Sequence, residues 1–291
     1  MSVGLRPTVQ SFFISARIQT IFACLLLTAL SPTGCSRSDA PASPQTRKLV
    51  LTGSSTIAPL IGEIAKRYEA AHPGVRIDVQ TGGSSRGVSD ARAGLADIGM
   101  ASRALKDEEK DLSGYAIARD GIGVILHSAN PVTALSDEQV VKIYTGEISN
   151  WKDAGGKDAP ITVINKAEGR STLELFLSYF KLKSEQVKAS VIIGDNEQGI
   201  KTLAGNPDGI AYVSIGSAEY AATHGTPIKL LAMKGIAASI ENVRNGSFPL
   251  SRPLTLVTKE AATGLKKDFT DYARSPAVHD LVQQLYFVPL E

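Results

Sequence analysis

An α/β fold in two lobes is the architecture this sequence predicts, and three observations predict it. Short apolar strands alternate with amphipathic helices from Leu49 to the end of the chain. A unit of strand, loop of glycines and hydroxyls, then helix recurs three times, at 49–60, 75–92 and 161–180. Two glycine-punctuated apolar segments, near 116–127 and 209–214, are suited to pass from one lobe to the other, which makes the middle of the chain an insertion. The expected division is 48–120 with 212–291 in lobe 1 and 121–211 in lobe 2, each a sheet flanked by helices, joined by two crossing strands.

The chain opens on a processing segment. Arg6 and Arg17 precede an apolar run, Ile18 to Leu30, that is short for a membrane span. Residues 1–34 read as a signal peptide, with Cys35 as a lipidation candidate because it follows a small residue at the end of that run. Pro32 stands where such lipoprotein motifs usually carry leucine, so plain cleavage near Ala29-Leu30-Ser31 competes. Residues 35–47, rich in Ser, Pro and Ala, read as a tether. The expected location is the periplasm or cell envelope, with membrane contact only through a lipid on Cys35.

The elements follow in order. Leu49-Val50-Leu51-Thr52 is a strand, and Gly53-Ser54-Ser55-Thr56 leads into a helix carrying Pro59 in its first turn and Leu60, Ile61, Ile64, Ala65 and Tyr68 at helical spacing. Ser55 or Thr56 alone could be a simple cap. Val75, Ile77 and Val79 alternate with polar residues in a second strand. Gly82-Gly83-Ser84-Ser85-Arg86-Gly87 follows, with a helix expected from Val88. Ala96 to Met100 is a strand, Lys106 to Lys110 a solvated charge run, and Ser136 an N-cap. Ile161 to Asn165 leads into Lys166-Ala167-Glu168-Gly169-Arg170-Ser171-Thr172, then a helix burying Leu173, Phe176, Leu177 and Phe180. Leu254 to Thr258 is a late strand, and two helices joined near Ser275-Pro276 close the chain.

Composition narrows the function. The chain has 31 basic and 29 acidic residues; residues 1–34 hold two arginines and no acid, so the remainder balances at 29 of each. With no basic stripe, nucleic acid is not an expected partner. Beyond Cys35 there is no cysteine, and His72, His127, His224 and His279 lack ligand spacing, so no metal or other cofactor is expected.

The repeated loops carry the chemistry. Glycines let backbone N–H groups approach a ligand, hydroxyls add donors, and a helix N-terminus favours an anion. Arg86, Lys166 and Arg170 add full charges. Gly83-x-Ser85-x-Gly87 also spells the nucleophile-elbow pattern of serine hydrolases, with Ser85 as nucleophile and His127, His224 or His279 as base. No second hydrolase motif accompanies it, and no phosphate-loop consensus is present.

Over its whole mature part the chain resembles the phosphate-binding proteins of bacterial ABC importers, in the bilobal periplasmic-binding-protein superfamily. The marks are Gly53-Ser54-Ser55-Thr56, Gly83-Ser84-Ser85-Arg86-Gly87, Asp97-Ile98-Gly99-Met100-Ala101-Ser102-Arg103, Ile143-Tyr144-Thr145-Gly146-Glu147-Ile148-Ser149-Asn150-Trp151, the 166–172 loop and Gly209-Ile210-Ala211-Tyr212. The resemblance implies a type II-like fold closing on inorganic phosphate or a related oxyanion, a permease as partner, a monomer and no catalysis. An oxyanion sensor or scavenger would use the same fold. The implied binding residues are Ser55, Thr56, Ser84, Ser85, Arg86, Ser102, Arg103, Lys166, Arg170, Ser171 and Thr172. Two departures stand out. Lys166 replaces an arginine, and Arg103 stands where some members place an aspartate that accepts the proton of hydrogen phosphate. Arginine accepts no hydrogen bond; either Glu168 substitutes or discrimination against sulfate weakens.

Overall fold

The computed structural model describes residues 46–290. The signal-peptide reading of 1–34, Cys35 and nearly all of the tether lie outside them. Among the described residues no helix is long and apolar enough to cross a membrane.

The first third of the chain is β1 (Arg47–Gly53), α1 (Ala58–Ala71), β2 (Val75–Thr81), α2 (Ser84–Ala93), β3 (Ile98–Ala101) and β4 (Ser113–His127). The middle holds α3 (Asp137–Thr145), β5 (Thr162–Lys166), α4 (Ser171–Phe180), β6 (Val191–Ile193), α5 (Asn196–Ala204), β7 (Gly209–Ser214), α6 (Ile215–Thr223), β8 (Ile228–Leu230) and α7 (Ile240–Arg244). The chain ends with β9 (Ser251–Thr258), α8 (Gly264–Ala273), α9 (His279–Gln284) and β10 (Val288–Pro289).

Local chemistry sets these boundaries. Ser136 accepts from the Gln139 N–H at 3.1 Å while the Gln139 side chain accepts from the Ser136 N–H, a reciprocal cap that starts α3. Gly146, at φ 82°, ends that helix in the left-handed conformation that glycine adopts freely. The helix α2 begins at Ser84, not Val88, so the expected serine loop is its first turn. Gly87 lies on the buried face of that turn: a Cβ there would sit 2.6 Å from the Thr52 carbonyl oxygen. The second glycine of the Gly-x-Ser-x-Gly pattern therefore lets α2 lie directly on the backbone of β1.

The strands run in the order β2-β1-β3-β9-β4-β7-β5-β6, with β8 and β10 also pairing with β4. β4 is shared by two sheets: the first holds β2, β1, β3 and β9, the second β7, β5 and β6. Residues 113–121 pair with β9, and residues 122–126 pair with β7. The apolar clusters divide at the same place. Ile117 and Ala118 pack with α1, α8 and α9, whereas Ile122, Val124 and Leu126 pack with α3, α4 and Trp151.

The second crossing differs from the expectation. β7 is buried along its whole length between parallel β5 and antiparallel β4, and it stays in the second sheet. A central strand covered on both faces is apolar throughout, which is why the sequence reads like a crossing. The chain returns to the first sheet at Ser251, opposite Gly121. Residues 212–250, expected in lobe 1, place Tyr212, Ile215, Leu231, Val243 and Phe248 in one cluster with Ile122.

At the centre of that cluster Phe176 stacks on Tyr212, with ring centroids 3.8 Å apart and planes 8° from parallel. Trp151 is fully buried, and its indole N–H donates to the Asp208 carbonyl at 2.9 Å. Replacing Phe176 with Ala is expected to lower stability by about 3–5 kcal/mol, measured as a shift in the urea midpoint.

Candidate anion-binding site

One small pocket collects the ends of the three repeated units and a fourth. From the first sheet come Ser54, Ser55 and Thr56 after β1, Gly83 and Ser84 after β2, and Ser102 after β3. From the second come Lys166 at the end of β5, Arg170, Ser171 and Thr172 at the start of α4, and Gly194 and Asn196 at the start of α5. The N-termini of α1, α2, α4 and α5 thus converge here. Parallel strands deliver helix N-termini at their carboxyl ends, so a strand–loop–helix chain brings donors to this edge.

Bonds cross the pocket between elements of the two sheets. The Ser171 hydroxyl lies 2.8 Å from that of Ser84 and 2.6 Å from that of Ser102. Asn196 Nδ2 donates to Thr56 Oγ1 at 3.1 Å, and the Ser85 N–H donates to the Gly169 carbonyl at 3.2 Å. Gly83, at φ 98°, admits this approach; a Cβ there would meet the Gly169 oxygen at 2.7 Å.

A buried ion pair stands behind the hydroxyls. Arg252 Nη2 and Nε donate to Asp120 Oδ2 at 2.8 and 3.1 Å, with both side chains essentially inaccessible. Arg252 Nη1 donates to Thr172 Oγ1 at 2.9 Å and to Ser102 Oγ at 3.3 Å. Asp120 Oδ1 accepts from the Ser214 hydroxyl at 2.9 Å. Lys166, buried in the wall, donates from Nζ to Asn196 Oδ1 at 3.0 Å. Burial pushes its amine down to about 7 against the pull of Asp195, and the charges of Arg252 and Arg170 push the same way.

Eight of the eleven expected residues line this pocket: Ser55, Thr56, Ser84, Ser102, Lys166, Arg170, Ser171 and Thr172. Three do not. Arg86 is exposed and pairs with Asp90 one turn along its own helix at 3.2 Å. Ser85 turns its hydroxyl to Glu174 at 2.8 Å. Arg103 is buried away from the pocket, with Nη1 and Nη2 donating to Glu109 at 2.6 and 2.8 Å and Nε 3.1 Å from Glu174. Glu109 belongs to the charge run expected in solvent, and it is buried instead as the counter-ion of Arg103. Glu168, the expected substitute acceptor, is exposed and takes a hydrogen bond from Ser184.

The hydrolase arrangement is not assembled around Ser85, whose hydroxyl partner is a carboxylate of α4. His127 Nδ1 accepts from the Ala129 N–H, and His224 Nδ1 bonds the Tyr220 carbonyl.

Asn196, Arg252 and Asp120 were missed by sequence reasoning. Asn196 had a usable signal, since Asp195 caps α5 through the Gln198 N–H and marks another helix start after a strand.

The family model for the PBP superfamily domain matches residues 39–277. The chain belongs to the PBP superfamily. Among relatives of this PBP-superfamily chain, the phosphate-binding protein PstS of Bacillus subtilis is 29% identical over 248 residues, covering 83% of this chain and 80% of the relative. PstS of Staphylococcus haemolyticus is 30% identical over 221 residues, covering 72% and 69%. A Clostridium perfringens structure assigned as a phosphate ABC transporter substrate-binding protein, with phosphate bound, superimposes with a TM-score of 0.78 at 33% identity, over 84% of this chain and 100% of that one. An ABC-type phosphate transport receptor from Vibrio cholerae gives 0.66 at 27%, over 84% and 100%.

Two outcomes follow from the charges around the site. Asp120→Ala, which leaves Arg252 buried without its partner, is expected to lower stability by about 3–5 kcal/mol in chemical denaturation. The second concerns Glu174. Burial raises its carboxyl, but hydrogen bonds from Lys106 and Ser85 and the charge of Arg103 outweigh that and hold it below the ordinary range. A carboxyl lowered on folding adds stability above its unfolded value, about 4.3, and the gain disappears as pH falls through the folded value. Wild type should therefore melt above Glu174→Gln at pH 7, with the gap closing toward pH 3 in thermal scans.

Proposed function

We propose that this chain captures inorganic phosphate between two lobes and hands it to the permease of an ABC importer. The observation that carries the reading is the convergence of hydroxyl, amide and cationic donors from both sheets on one small pocket at four helix N-termini. Relatives named phosphate-binding proteins support the choice of anion.

The phosphate contacts in this reading are Ser55, Thr56, Ser84 and Ser102 on one side and Lys166, Arg170, Ser171 and Thr172 on the other, joined by Asn196. The lobes are residues 48–121 with 251–290, and residues 122–250, meeting at β4 and the start of β9. Because donors come from both lobes, only the closed arrangement makes all the contacts, and phosphate shifts the population toward it. Glu174 of α4 assists closure. It faces Ser85, Arg103 and Lys106 across the cleft, at 2.8 to 3.1 Å. The chain acts by binding and release, with no covalent step. In the same reading residues 1–34 direct export and Cys35 carries a lipid anchor.

Calorimetric titration of the protein with phosphate tests the proposal. Hydrogen bonds to a charged group contribute about 1.5–3 kcal/mol, against about 0.5–1.5 for neutral ones. Arg170→Ala should therefore weaken phosphate binding more than Ser84→Ala. Heat-silent titration of wild type, or equal losses in the two variants, would contradict the assignment.

A further inference from the structure

Three cations stand in or behind this pocket, and each meets burial differently. Arg252 is balanced by Asp120. Arg170 keeps its charge whatever surrounds it, because a guanidinium does not deprotonate in proteins. Lys166 can give its proton up. It is 3% exposed at the end of β5, and among the described residues its amine forms no ion pair. The hydrogen bond it makes runs to Asn196 Oδ1 at 3.0 Å. An ammonium has three N–H donors, so two find no partner among the described residues. A charge buried in that state is costly, and a lysine escapes the cost by releasing its proton.

The surroundings set the balance from every side. Burial acts most strongly and pushes the amine down to about 7; Asp195, before α5, pulls it up, and Arg252 of β9 and Arg170 beside α4 push it down. Asp120 of β4 is engaged by Arg252 and Ser214. On β7 the Tyr212 hydroxyl accepts from the Lys166 backbone N–H at 3.4 Å, and burial raises that phenol so that it stays neutral. β6 pairs with Lys166 through Ile193 and carries no titratable side chain. No carboxylate among these groups pairs with the ammonium. An anion in the pocket would, and an opposite charge within about 4–6 Å raises such an amine by about 1–3 pH units.

We propose that Lys166 is a proton-binding site coupled to the anion site: as phosphate seats, the amine takes a proton from solvent, and it returns that proton when phosphate leaves. This rests on the phosphate-site reading above. The step is a protonation alone. Hydrogen phosphate meets a neutral amine, a solvent proton joins the nitrogen lone pair, and the product is the same anion beside an ammonium. The two N–H donors without protein partners are then available to the anion's oxygens, as charge-assisted hydrogen bonds. The empty pocket is spared a second uncompensated cation beside Arg170. Because binding takes up a proton, affinity is greatest below the amine's free value and falls as pH rises from there to its bound value.

The experiment is calorimetric titration of the protein with sodium phosphate at about pH 8, where the free ligand is already mostly the dianion, in buffers of low and high ionisation enthalpy. Wild type is expected to take up about 0.5–1 proton per phosphate, and its Kd to rise about three- to tenfold per pH unit above that point. Lys166→Arg supplies a cation that does not titrate, so its heat of binding should not depend on the buffer. A second measurement uses wild type alone, labelled with carbon-13 in its lysines. The Lys166 Cε resonance should titrate with a midpoint at about 7 in the free protein and keep its ammonium position at about pH 8 once phosphate is added. Phosphate binding with no buffer dependence, or a Lys166 resonance that phosphate leaves unchanged, overturns the proposal and leaves the phosphate reading intact. Undiminished proton uptake in Lys166→Arg gives the proton to another group and overturns it as well. Wild type that binds no phosphate overturns both.

Discussion

The buried pair of Asp120 and Arg252 is the interaction on which the rest depends. Asp120 lies on β4 and Arg252 on β9, one residue from the point where the chain returns to the first sheet. One charge in that place without the other would be strongly destabilising. Paired, they leave one guanidinium nitrogen free to hold Thr172 of α4 and Ser102 after β3. The same group that neutralises the crossing therefore also positions hydroxyls drawn from both sheets.

This arrangement separates charge from contact. Arg252 acts on the pocket through Thr172 and Ser102, and its own charge is balanced by Asp120. Lys166 and Arg170 remain as the cations of the lining itself. Across the cleft, Arg103 is balanced by Glu109 and Glu174, so its charge serves packing between α4 and the turn that follows β3. Lys166 and Arg170 stand where the helix N-termini meet, whereas Arg103 and Arg252 are each balanced by carboxylates.

The strand–loop–helix units were legible in the sequence because each is local. Glycines, hydroxyls and an amphipathic helix lie within twenty residues, and seven of the pocket residues lie in these units; Ser102, after β3, follows only from the family resemblance. Arg86 and Arg103 were misread for a physical reason. Nearness in sequence to a loop does not fix direction: Arg86 falls on the outer face of the first turn of α2, and Arg103 finds two carboxylates behind the turn. Asp120 and Arg252 could not be found by local reading, since their pairing depends on a register between strands more than a hundred residues apart. β7 was mistaken for the return crossing because a central strand and a crossing strand bury the same residue types. Glu109 was hidden in a run of charges whose solvent exposure composition cannot resolve.

The pairing of Gly121 with Ser251 has a consequence for how such a chain can change. The whole stretch between them leaves the first sheet and comes back to it at adjacent positions of one ladder. Segments whose ends lie together can be exchanged or rebuilt with little disturbance to their surroundings. In this architecture one half of a ligand cleft is a module seated between two neighbouring strands. Substitutions in α4 or α5 can retune which anion is held while the framework from β1 to β3 stays as it is.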